Sequence, residues 1–280
     1  MTPTRAAILA LAAFAGGAVN AVAGGGTLIT FPVAMAAGLS PVVANATNAV
    51  AMSPAALAAA WAYRREIGKE GPLLRLLALP ALFGGLVGSV LLLSTPATVF
   101  DAIVPLFVLV GAALLLVQNL RREPSESAPA SSGPARLAVV AALTFAVSVY
   151  GGYFGAGMGL LMLATFGLLG RGDIHARNGL RSALGAIVNG VAAVFFLARG
   201  AVDAPAALIM AVSASLGGFV GASLLRRVPA RVVRAVIVVL GVLVAAVLAF
   251  RRWALSAIAI GNRHKRRRRA PRRASDGPLP

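Results

Sequence analysis

Residues 23–48 read AGGGTLITFPVAMAAGLSPVVANATN. Gly24, Gly25 and Gly26 stand in the middle of a long apolar run. Glycine there gives up side-chain packing and leaves the backbone freely bendable. In a bilayer, backbone that leaves the helical hydrogen-bond ladder is tolerated only where protein buries it or it lines a wet cavity. A second glycine cluster, GGYFGAGMG at 151–159, breaks another apolar run in the second half. Two interrupted hydrophobic segments at corresponding positions of two halves point to the binding site of a transporter.

The rest of the chain places these breaks in a membrane. Of 280 residues, 59% are hydrophobic and 12% charged, and the mean hydropathy is +0.87. Soluble domains carry about 25% charged residues. Apolar stretches of membrane-spanning length recur from end to end, so the chain reads as an all-α polytopic membrane protein. The alternating segments of a β-barrel do not occur. With no cysteine, disulfides, thiolate catalysis and cysteine-ligated metals are excluded. The net charge of +18 is unevenly spread: ten of the 26 Lys and Arg residues fall between Arg251 and Arg273. That cluster reads as a topology and anionic-lipid anchor. No aromatic residue interleaves the bases of 263–273, so no nucleic-acid partner is expected.

The chain reads as a duplication. A shift of 132 residues sets Gly157 on Gly25, Gly170 on Gly38 and Ala176 on Ala44. A shift of 133 sets Gly217, Gly218 and Gly221 on Gly84, Gly85 and Gly88. Each half then has four elements. The first half has a broken segment at 5–38, followed by spans at 41–62, 72–94 and 98–120. The second has a segment at 136–170 broken near 155–159, followed by 174–198, 204–225 and 232–253. At about 1.5 Å per residue a 34-residue segment exceeds the ~20 needed to span, so each broken segment is two half-helices or a helix plus a re-entrant piece. The expected architecture is therefore about eight spans in two repeats of four, 1–120 and 136–253. A polar linker at 121–135 joins them, and a basic, disordered tail covers 254–280. Residues 1–23 have the layout of a signal peptide. The same apolar-then-glycine pattern inside the second half argues for a retained helix instead.

Charge sets orientation. Arg64, Arg65, Lys69 and Arg75 mark one loop as cytoplasmic, and Arg121, Arg122 and Arg136 mark the linker likewise. Four crossings per half put the tail inside as well, at the cell membrane. That count leaves Arg226, Arg227 and Arg231 outside, against the positive-inside rule, whereas an odd number of crossings per half would bring them inside and put the basic cluster outside; four per half is preferred.

Few polar residues lie at membrane depth. Beside the first break they are Asn20, Thr27, Thr30, Asn45, Thr47 and Asn48, of which the last three either line a site or bond helix to helix. Beside the second are Arg177 and Arg181, spaced to share one helix face in the first turns of a span. A guanidinium beside a helix N-terminus suits an oxyanion such as sulfite, sulfonate or carboxylate. The alternative is that both arginines snorkel to headgroups. The substrate-binding set is Arg181, Arg177, Asn45, Thr47, Asn48, Gly24, Gly25, Gly26, Gly155 and Gly157. No phosphate-binding loop, metalloprotease helix or Ser-His-acid set occurs, so neither an enzyme nor a cofactor is expected. The partners expected are a small anion, the bilayer and a coupling proton or sodium ion. A non-transporting scaffold whose basic tail recruits a partner is the alternative class.

The residues 24–48 resemble the sulfite exporter TauE/SafE family. The pattern is carried by Gly24–Gly26, Pro32, Gly38-Leu39-Ser40-Pro41, and Ala44 with Thr47. In the second half it is carried by Gly155, Gly157, Gly159, Gly170, Ala176 and a basic Arg181 where the family often has lysine. Ala164 departs from the pattern where the first half has Pro32, and Asn189 is the nearest match to an asparagine expected after the basic residue. The resemblance runs to about residue 253 and implies a secondary transporter of small sulfur-containing anions and related organic acids.

Overall fold

The computed structural model describes residues 1–23, 25–120, 133–169 and 174–224, with single positions at 235, 238, 239, 242 and 243. Gly24, residues 121–132 of the linker, Gly170, almost all of the expected span at 232–253 and the basic tail lie outside the described residues. The described residues form ten helices and no strand. In chain order they are α1 (Pro3–Ala23), α2 (Thr27–Ala36), α3 (Pro41–Ala62), α4 (Arg64–Lys69), α5 (Gly71–Ser94), α6 (Ala97–Leu120), α7 (Pro134–Tyr153), α8 (Met158–Gly167), α9 (Ile174–Ala198) and α10 (Ala204–Leu224). Five of them, α3, α5, α6, α7 and α9, are long and apolar enough to cross a membrane. Large apolar side chains point outward on these and on other helices, among them Leu11 on α1, Val194 on α9 and Leu208 on α10, each at least two-thirds exposed. An outward-facing apolar belt of this kind belongs against lipid. The chain is a polytopic helical membrane protein.

Both broken segments have the same form. A helix of 21 or 20 residues is followed by one of ten, so each is a long helix with a short second piece rather than two halves. In the first, Gly26 lies back against α1: a Cβ added there would fall 2.3 Å from the Gly16 carbonyl oxygen and 3.0 Å from the Asn20 Cβ. Gly26 keeps helical torsions, so it is glycine because two backbones touch. The second break needs glycine for its torsions, because Gly155 and Gly157 both have positive φ, 80° and 77°.

Glycine also sets how the long helices pair. A Cβ on Gly84 would meet the Phe145 carbonyl oxygen at 2.5 Å, and one on Gly88 would meet that of Val149 at 2.0 Å. The contacts advance four residues on both α5 and α7, so these helices are parallel. Along α1 and α10, Arg5 pairs with Asp203 (3.6 Å) while Gly17 abuts the Ala214 carbonyl and Gly217 that of Phe14. These helices also run in the same direction. Small residues that let backbones touch are the usual means of helix association in lipid, where apolar burial adds nothing.

These contacts orient the halves. Arg5 and Thr47 both reach Asp203, so α1, α3 and α10 begin at one end of the bundle. Gly179, early in α9, packs against Ile67 of α4, so α9 begins at the other end, where α3 finishes. The Ser53 hydroxyl donates to the Asn189 carbonyl (3.1 Å) where α3 and α9 cross. The described parts of the halves therefore run in opposite directions. In each, the broken segment begins and ends at the same end of the bundle. α10 finishes with Leu224 at the α4 end, two residues before Arg226 in the sequence.

Candidate functional site

The first break is closed by α3. Asn48 donates from Nδ2 to the Thr27 hydroxyl (3.3 Å), and its Oδ1 accepts from the Thr30 hydroxyl. The one Thr30 hydroxyl proton is shared with the Gly26 carbonyl (3.2 Å), and both Thr30 and Asn48 are buried. The polar side chains at the start of α2 are thereby pinned to the second turn of α3. Truncating Asn48 to alanine leaves the buried Thr30 hydroxyl with the Gly26 carbonyl alone and takes this partner from the half-buried Thr27 hydroxyl. We expect Asn48→Ala to cost about 1–3 kcal/mol, read as an earlier thermal unfolding midpoint in detergent.

Asn45 and Thr47 act across the halves. Asn45 Nδ2 donates to the Tyr153 carbonyl (2.8 Å), one of the acceptors left open at the end of α7. Thr47 Oγ1 accepts from the Asp203 N–H (3.0 Å) at the start of α10. Asp203 in turn caps α10, its Oδ1 accepting from the Ala206 N–H (3.0 Å). Asn45, Thr47 and Asn48 thus all hold helices and breaks in place.

The second break is held from within. The Tyr150 hydroxyl donates to the Ala156 carbonyl (2.6 Å), and Gly157 in the left-handed region caps α8. Phe154 touches Phe31 of α2 edge-on at 5.2 Å between ring centroids and stacks with Phe107 at 5.3 Å. The second break and the short helix after the first break therefore meet directly.

Arg181 lies over the first turn of α8. Its Cδ and Nη1 are each 3.1 Å from where a Cβ on Gly159 would sit, so the absent side chain leaves the space that the arginine occupies. Its side chain is half-buried, as is that of Arg177 one turn earlier. Arg181 and Asn48 stand on opposite sides of the α3–α9 crossing, so they do not form one cluster. Gly25 and Gly26 are buried at the first break, Gly155 and Gly157 shape the second, and Gly24 lies outside the described residues. The sequence reading missed the ion pair of Arg5 with Asp203. Its one local signal is an acid immediately before Ala204-Pro205, the mark of a helix cap.

The family model for the sulfite exporter TauE/SafE matches residues 9–248. A probable membrane transporter protein, YfcA, of Escherichia coli K12 is 26% identical over 252 residues, covering 89% of this chain and 91% of that one. A probable membrane transporter protein of Haemophilus influenzae is 26% identical over 256 residues, covering 87% and 94%. One from a Sinorhizobium species is 29% identical over 252 residues, covering 85% and 90%. No solved structure matches the chain.

Proposed function

The chain belongs to the sulfite exporter TauE/SafE family, and on that premise we propose that this membrane transporter carries small oxyanions such as sulfite, organosulfonates or related organic acids. The observation behind the choice of substrate class is Arg181 seated on Gly159 at the start of α8. A helix N-terminus presents unpaired N–H groups and partial positive charge. A guanidinium there adds a fixed cation with planar, bidentate donors. Asn45 and Asn48 support the site by holding the two breaks in position, and Arg177 lies one turn outward. The repeats are read as eight long helices, α1, α3, α5, α6, α7, α9, α10 and the segment at 232–253. Two short return pieces, α2 and α8, meet near the centre. Opposed halves of this kind suit alternating access about a fixed site. A proton or sodium ion is the proposed coupling partner, and the cell membrane the proposed location.

Anion flux out of loaded proteoliposomes made with the full chain is the deciding measurement. With sulfite or sulfoacetate inside and a pH or sodium gradient imposed, we expect anion movement that protein-free vesicles lack. Uncharged solutes of the same size should not move. Absence of flux for every anion under both gradients would replace this reading with that of a non-transporting scaffold.

A further inference from the structure

We propose that the α4 end of the bundle is a binding surface for anionic phospholipid headgroups, formed by Arg64, Arg65, Lys69 and Arg75. The inference does not depend on which solute is carried. Helix α4 joins α3 to α5 and has two unlike faces. Inward, Glu66 and Ile67 pack on the start of α9: the Glu66 Cβ and Ile67 Cγ1 lie 3.4 and 3.3 Å from where a Cβ on Gly179 would be. Glu66, Ile67 and Glu70 are half-buried. Outward, Arg64, Arg65, Lys69 and Arg75 are exposed. The acids of this segment thus face the protein while the bases face away from it, and the surface presented is cationic.

Two further features favour a bilayer over a soluble partner. Trp61, 69% exposed, closes α3 with the Arg64 guanidinium stacked 4.0 Å from its ring centroid. Arg64 Nη1 also donates to the Trp61 carbonyl (3.1 Å). Tryptophan with a polar partner is characteristic of the membrane–water boundary, where one end of the ring is wet and the other apolar. Immediately beyond the basic group the surface turns apolar, with Leu57 on α3 and Leu76 and Leu79 on α5 exposed. A phospholipid bound here has its headgroup on the arginines and its chains along those leucines. By the positive-inside rule this end faces the cytoplasm, whose leaflet carries the anionic lipid.

The test compares wild type with the triple variant R64Q/R65Q/K69Q, full-length in both cases, so that the basic tail is common to both. Purified protein is equilibrated with mixed phosphatidylglycerol and phosphatidylcholine, and retained lipid is counted by native mass spectrometry. A basic residue near an anionic surface is worth about fivefold in partition, so three removed should weaken phosphatidylglycerol retention roughly a hundredfold. The charge-keeping variant R64K/R65K should retain it. Equal retention of both lipids by wild type overturns the proposal, as does undiminished retention by the triple variant. Displacement by inorganic phosphate at matched concentration also overturns it, because that marks a free-anion site. So does earlier melting of the triple variant in phosphatidylcholine alone, because the side chains then hold α4 to the protein.

Discussion

Gly88→Val is expected to leave no stably folded protein in detergent. The new Cβ would lie 2.0 Å from the Val149 carbonyl oxygen and 2.8 Å from the Tyr153 nitrogen. Both atoms are backbone within α7, so no rotamer change relieves the clash and α5 must move away from α7. Overpacking a core costs about 1–3 kcal/mol where side chains can yield, and more where they cannot. We expect about 3 kcal/mol or more, at least a hundredfold in the folded-to-unfolded ratio. Gly217→Val should do the same at the α1–α10 contact, where the Phe14 carbonyl oxygen is 1.9 Å from the added Cβ. Gly190 in α9 is the control, since nothing lies within 4 Å of its added Cβ. Gly190→Ala should melt no earlier than wild type, because alanine is the better helix former by about 1 kcal/mol. Thermal unfolding followed by size-exclusion chromatography separates these outcomes. A Gly88→Val protein that melts with wild type would mean that α5 and α7 do not touch as described.

Arg181→Ala is expected to abolish anion flux while the protein still inserts and folds. Removing a charge-assisted partner from a buried anion costs about 2–5 kcal/mol. That corresponds to roughly thirtyfold or more in affinity. Arg181→Lys should keep part of the flux, because the charge survives and the planar fork does not. Gly159→Val offers a second route to the same loss. Its side chain would enter the space now filled by the arginine stem, 3.1 Å from Cδ and Nη1. Arg177→Ala is the comparison that assigns the role. Normal flux in both alanine variants would make the two arginines headgroup anchors, and loss in Arg177→Ala alone would move the site one turn outward. Melting temperatures of all four variants in detergent distinguish lost transport from lost fold.

The membrane class was legible because it is a property of composition. A chain with 12% charged residues and apolar runs of spanning length has no soluble fold to adopt. The two breaks were legible for a local reason, since glycine clusters in apolar runs mark backbone that leaves the helix. The family pattern lay in the same residues, Gly24–Gly26, Pro32 and Gly38–Pro41 in the first half and Gly155–Gly159 in the second. The partners of Asn45, Thr47 and Asn48 were not legible, although helix-to-helix bonding was one of the two roles open to them. Each of their partners lies far along the chain or on another helix: Tyr153, Asp203 and the pair Thr27 and Thr30. A polar side chain states that it needs a hydrogen bond and not which helix supplies it.

The same division governs the direction of the two halves. Counting spans of 20 or so apolar residues treats each broken segment as one crossing, and that count left Arg226, Arg227 and Arg231 on the wrong side. Residue spacing does not tell whether the chain after a glycine break continues or turns back. The close approach of Gly26 to Gly16 and the meeting of Arg5, Thr47 and Asp203 at one end decide that it turns back. Composition and local pattern determined by themselves that this is a helical membrane protein with two glycine-broken segments. Which end each half begins from, which helix each packing glycine touches and which arginine meets α8 were decided only by long-range packing. The physical reason is that each depends on the distance between backbones remote in sequence.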